Sequence, residues 1–163
     1  MKRTTTTNCL SIFVALILIG VIIWLIVVQV REHHLQNDPM LDKLRTDITP
    51  IFTQDNYYTG ALSKLNDENP LNRVQLYRGN KSYTINKEKV YLCLYDKEGN
   101  YYPDMQLRYV LLHEMGHVIT DSIGHTQEFH EKFEALLAKA IELGIYDPSF
   151  RVISDYCNHG KEE

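Results

Sequence analysis

His113-Glu114-Met115-Gly116-His117 places two imidazoles four positions apart, with a carboxylate directly after the first. On a helix with 3.6 residues per turn, positions four apart are rotated by only about 40°, so both rings face one side and can converge on one ion. Zinc accepts neutral imidazole well and, with three protein ligands, keeps a fourth position for water whose pKa it lowers towards neutrality. Glu114 is displaced around the helix from both rings. It is placed to take a proton from that water rather than to ligate the metal. The chemistry this pattern predicts is hydrolysis of a peptide bond, with Glu114 as general base and then general acid.

A third ligand has to come from outside the five-residue motif. His125 lies eight positions after His117 at a loop-to-helix junction, and His130 follows it. Glu131 and Glu134 on the next helix offer the alternative of a two-histidine, one-carboxylate site. The metzincin pattern does not fit, because Thr120 stands where that pattern has glycine and no methionine follows Met115. Tyr146 and Tyr156 are candidates for stabilising an oxyanion. Cys157-Asn158-His159 is a weak second metal motif, with two ligand types and no partner in sequence.

LLHEMGH followed by GHTQEFHEKF resembles the minimal zincin core of the SprT and WLM (Wss1-like) metalloproteases. The resemblance spans roughly residues 81–144, and its specific part is 113–133. It implies that His113, His117 and His125 are the zinc ligands, that Glu114 is the catalytic acid/base, and that Phe129 fills the apolar position after the third histidine. It gives His130 no ligand role. The chain lacks those families' Cys-rich zinc ribbon and basic DNA-binding extension, and it begins with an anchor. In that combination it also resembles uncharacterised membrane-anchored zincins of large DNA viruses.

The elements that must position these residues can be read from periodicity. Asp38-Pro39 starts a helix through an N-cap acceptor and a preset φ, with Leu41, Leu44, Ile48 and Ile51-Phe52 at helical spacing to about Thr53. A second short helix is expected over Thr59 to Leu65. Three strands are expected at Arg73 to Tyr77, Ser82 to Asn86 and Val90 to Tyr95, antiparallel because the connections are tight. The strand from Val90 is a candidate edge for an extended substrate. Pro103-Asp104 opens the helix that carries the motif, and its apolar flanks predict that it is largely buried. Thr126 caps the next helix, which runs to Gly144. Residues from Ile145 onward are expected to pack loosely, or to cover the site over Tyr146 to His159. The class is α+β: a zincin-like domain with a short antiparallel sheet on the active-site helices.

Composition sets the location. The chain has 163 residues and a net charge of −4. Leu10 to Val28 carries no charge and matches the roughly 20 residues a bilayer-crossing helix needs. That run is longer than a usual signal-peptide core and lacks a small-residue cleavage site, so a retained anchor is expected. The division is 1–30 for the cytoplasmic N-terminus and anchor, 31–37 for a polar linker and 38–163 for the domain. Lys2 and Arg3 before the run favour a cytoplasmic N-terminus with the domain on the non-cytoplasmic side. Cys93 and Cys157 could pair there, Asn80-Lys81-Ser82 would be a glycosylation sequon, and Cys9 at the membrane edge could be palmitoylated. Beyond residue 30 there are 15 basic and 21 acidic residues, so no nucleic-acid partner is expected. Phosphate-binding glycine motifs are absent, which excludes the common nucleotide enzymes. The expectation is therefore a membrane-anchored zinc metallopeptidase acting on a protein or peptide substrate. The alternative is an anchored structural-zinc or interaction module, in which a fourth ligand such as His130 would close the metal site.

Overall fold

An uncharged apolar run satisfies its backbone without water only by closing hydrogen bonds within itself. In the computed structural model, which describes residues 3–53 and 57–158 and the side chains from residue 11 onward, that run lies in α1, Arg3–Gln36. Its segment Ser11–Gln36 is long and apolar enough to cross a membrane, and its large side chains, Phe13 and Trp24 among them, are exposed. The polar residues from Arg31, expected as a linker, continue the helix to Gln36. Lys2 and the side chains of Arg3 and Cys9 lie outside the described residues. The chain forms two compact units, Met1–Leu35 and Gln36–Glu163.

In the second unit, the Asp38 side chain accepts from Met40 N at 3.0 Å and starts α2, Pro39–Ile48. Leu41, Leu44 and Ile48 form its buried stripe. Short 3-10 helices follow at Thr49–Phe52, Gly60–Asn66 and Pro70–Asn72. The helix expected from Thr59 is thus a 3-10 helix. The strands are β1, Gln75–Arg78, β2, Tyr83–Ile85, and β3, Lys89–Leu92. Then come α3, Asp104–Ile119, and α4, Gln127–Glu142.

The sheet is mixed rather than antiparallel. Its order is β1-β3-β2, with β3 parallel to β1 and antiparallel to β2. Asn86 and Lys87, both at positive φ, close the β2–β3 hairpin, which is the turn geometry that matches strand twist. The short β1–β2 connection instead crosses the end of β3, where Gly79 N donates to Leu92 O at 2.8 Å. A Cβ at Gly79 would lie 2.8 Å from Lys81 O, so the crossing needs glycine. Tight connection therefore did not mean adjacent strands. It follows that β3 is central and cannot be the substrate edge expected from Val90; the edges are β1 and β2.

Alternation gives the sheet two distinct faces. Leu76, Val90 and Thr84 align in one row, and Tyr77, Tyr91 and Tyr83 stack in the other at centroid separations of 4.9 and 4.7 Å. The apolar side, with Val90 and Leu92 fully buried, joins the core formed by α2, by Leu107, Leu111, Leu112 and Met115 of α3, and by Phe129, Phe133 and Leu136 of α4. Arg108 on α3 donates to Asp47 on α2 at 3.0 Å and to Ile145 O at 3.0 Å, locking three segments together.

Among its described residues, the segment after α4 is tied down at discrete points, although most side chains over 147–155 are exposed. Ile145 and Tyr146 are buried, Ile153 N donates to Gln106 Oε1 at 2.8 Å, and Cys157 forms a disulfide with Cys93. Cys157 is therefore unavailable as a metal ligand, and His159 of that motif lies outside the described residues.

Asp38 is 3% exposed and also accepts from Tyr95 Oη at 2.9 Å and Tyr101 Oη at 3.0 Å. Asp38→Ala removes a helix cap worth ~1 kcal/mol and the two charge-assisted hydrogen bonds from Tyr95 and Tyr101, whose hydroxyls keep each other at 3.0 Å. The expected loss is about 2–3 kcal/mol in denaturant unfolding of the full-length chain in detergent micelles, with a smaller loss for Asp38→Asn. A change below about 0.5 kcal/mol would contradict this role.

Candidate metal centre

The site begins with α3. Leu111, Leu112, Met115 and Val118 bury one side of the helix, which fixes its rotation and turns His113 and His117 towards the same cleft. Their ring centroids are 5.1 Å apart. Thr120 N and Oγ1 both donate to Gly116 O, ending the helix. The chain reverses through Asp121 to His125, and Thr126 Oγ1 accepts from Phe129 N at 3.3 Å to start α4.

The reversal brings the third histidine back. His125 Nε2 lies 3.0 Å from His113 Nε2, and one ligating nitrogen from each of His113, His117 and His125 falls within 4.8 Å of the others. A four-coordinate ion with metal–nitrogen bonds of roughly 2.0–2.1 Å needs its ligating nitrogens about 3.4 Å apart. Three imidazoles at these separations fit such an ion with side-chain adjustments alone. The His130 ring is 6.4 Å from that of His125, centroid to centroid, and does not join the cluster. Glu131 and Glu134 are exposed on α4 and do not join it either.

Phe129 backs the cluster. Fully buried, it stacks on His117 at 4.2 Å between centroids and meets His113 and His125 edge-on at 4.9 and 4.8 Å. Gly116 makes this possible, because a Cβ there would sit 3.0 Å from Phe129 Cε2. The glycine within the motif is thus where α4 approaches α3.

Glu114 is 4% exposed and points to the sheet side of α3. Thr84 Oγ1 donates to its Oε2 at 2.7 Å. Burial pushes the Glu114 carboxyl above its ordinary value, and the Thr84 hydrogen bond partly offsets that shift. A raised pKa suits a group that must hold a proton in mid-reaction. Thr84 escaped the sequence reading. Its signal was a lone hydroxyl in the row it shares with Leu76 and Val90, and which helix that row faces was not legible.

Two clefts flank Glu114. One of about 770 Å³ is lined by β2 residues Tyr83 and Thr84, the three histidines and Ile123. The other, about 530 Å³, is lined by Tyr109, Val110, Gln106 and the segment 152–158. Both include Ser82, His113 and Glu114. The C-terminal segment forms a wall here. Tyr156 lines the second cleft, but its hydroxyl donates to Cys93 O at 2.5 Å and lies 3.0 Å from Ser82 Oγ, so it acts as a structural tie. Tyr146 packs on Tyr109 and lines neither cleft.

Burial, followed by the neighbouring His117, His125 and His130, lowers the His113 pKa from 6.5 to about 4. Burial and His125 also lower that of His117. Both rings are therefore held neutral, the form that ligates. Between pH 6.5 and 4 the unfolded chain protonates His113 while the folded chain does not. Stability of the metal-free protein should thus be full above about pH 6.5 and fall as pH drops to about 4. Even a discounted ~1 kcal/mol corresponds to about 4 °C in Tm. The check is thermal unfolding with chelator across that range, with His113→Gln showing a flatter profile. Identical profiles would refute the assignment.

The chain is 44% identical over 103 residues to uncharacterized protein 136R of Invertebrate iridescent virus 6, a match covering 61% of the chain and 58% of that relative. It is 38% identical over 118 residues to uncharacterized protein 042R of Invertebrate iridescent virus 3, covering 71% of the chain and 74% of the relative. No family model matches the chain, and no solved structure matches it.

Proposed function

The chain belongs to the same family as protein 042R of Invertebrate iridescent virus 3, and we propose that it is a membrane-anchored zinc metallopeptidase of zincin type. One observation carries this reading: three imidazole nitrogens within 4.8 Å of one another, beside a buried carboxylate that lines the same cleft. Among the described residues the cluster holds three ligands, which leaves a coordination position for water, whereas structural zinc sites are closed by four.

His113, His117 and His125 would hold the ion. Zinc, when bound, supplies the Lewis acidity that lowers a water's pKa to near neutrality and polarises a carbonyl. Glu114 takes the proton from the attacking water and delivers it to the leaving amine. Thr84 fixes the carboxyl through Oε2, leaving Oε1 for the water. β2, an edge strand that lines the cleft, offers an extended peptide a side to lie along. α1 would anchor the domain to a membrane. The Cys93–Cys157 disulfide supports a non-cytoplasmic, oxidising location for the domain.

The experiment measures zinc content and cleavage of unfolded casein for the full-length chain in detergent micelles, wild type beside Glu114→Gln. Both are expected to carry one zinc per chain, with cleavage reduced about 10²–10⁴-fold in the variant. Zinc in both with cleavage by neither would favour the structural-zinc alternative. Absence of zinc from folded wild type would overturn the metal reading.

A further inference from the structure

The stretch from Asp121 to His125 has to deliver a ligand, yet it brings no buried side chain to hold itself in place. Ile123, its one large apolar residue, is 95% exposed. Its order therefore rests on polar contacts, and those to its backbone amides converge on the first turn of α4. Glu128 Oε1 accepts from Asp121 N at 3.1 Å. Glu128 Oε2 accepts from Ser122 N at 3.2 Å and from Ser122 Oγ at 2.8 Å. Lys132, one turn further and nearly buried, donates to Glu128 Oε1 at 2.7 Å and to Ile119 O at 2.8 Å, joining the end of α3 to the start of α4. Lys64 pairs with Asp121, and Lys87 Nζ donates to Asp121 O at 3.1 Å.

The geometry points to Glu128 as the positioning residue for His125: its carboxylate clasps the backbone of the reversing loop and so sets where the third imidazole sits relative to the two on α3. The inference rests on reading the histidine cluster as a metal centre. Lys132, the Asp121 amide and the Ser122 hydroxyl together hold the Glu128 carboxyl well below the usual carboxylate range, as expected for a committed acceptor. A carboxylate is needed because all four partners donate. In Glu128→Gln, the NH2 group replaces one acceptor oxygen, and in either flip it faces a backbone N–H, that of Asp121 or that of Ser122.

Residues that orient metal ligands from behind typically matter by 10–100-fold in affinity. The test is a competition titration of zinc against a chromogenic chelator, using full-length chain in detergent micelles. Wild type, Glu128→Gln, His125→Ala and the double variant are compared. Glu128→Gln should weaken zinc binding about tenfold in the wild-type background and not at all in the His125→Ala background. Wild-type affinity in Glu128→Gln, or an equal loss in both backgrounds, would overturn the inference while leaving the metal centre standing. No zinc binding by folded wild type would overturn both. If Glu128→Gln fails to fold, Ser122→Ala carries the test, since it removes one bond to the carboxylate from the loop side. Thr126→Val, which removes the Ser122–Thr126 contact at 2.6 Å but not the bond to Glu128, is the control and should lose less affinity. A smaller loss in Ser122→Ala that vanishes in His125→Ala supports the clasp, and unchanged affinity overturns it.

Discussion

Helix α3 must keep two histidines and a glutamate on a largely buried helix, and the domain around it is organised by that requirement. Glu114 is almost completely buried, a costly position for a carboxylate without a partner. The inner row of the sheet supplies Thr84 on one side. The histidines are held neutral by burial, and α4 supplies Phe129 as an apolar backing for their rings. Each ionisable group on α3 thus has a specific neighbour on a different element.

The two sides of the site are built differently. On the α4 side, contact is close and apolar, with Gly116 admitting Phe129 against the helix. On the side of the reversing loop, contact is polar and exposed, and the loop's amides end on Glu128. The first arrangement fixes the pair of histidines four residues apart. The second brings in the third. The C-terminal segment adds a wall beside Glu114, covalently tied to the residue after β3 by the Cys93–Cys157 disulfide.

Local chemistry was legible wherever a few neighbouring residues decide the outcome. The Asp38-Pro39 and Thr126 starts, and the helical stripes that follow them, correspond to α2 and α4. The three strands overlap the expected runs, although β1 begins two residues later than Arg73 and β3 ends at Leu92 rather than Tyr95. Their order was not legible, because consecutive strands joined by a tight crossing need not be neighbours, and Gly79 permits that crossing. The points that tie the tail down are not legible for a similar reason. Its ties are Tyr156 to Cys93 O, Ile153 to Gln106, and the disulfide, all made across 47 or more residues of chain.

For the site, the sequence by itself determined the two histidines and the glutamate of α3, because helical geometry alone puts positions four apart on one side. It also determined an apolar segment able to cross a membrane, since length and composition suffice for that. Only the tertiary structure decided which of His125, His130, Glu131 and Glu134 completes the cluster, because the answer depends on how the chain reverses between α3 and α4. It likewise decided that Thr84 meets Glu114 and that Glu128 holds the reversing loop. Those contacts join residues whose relation is set by packing, and no periodicity along the chain encodes it.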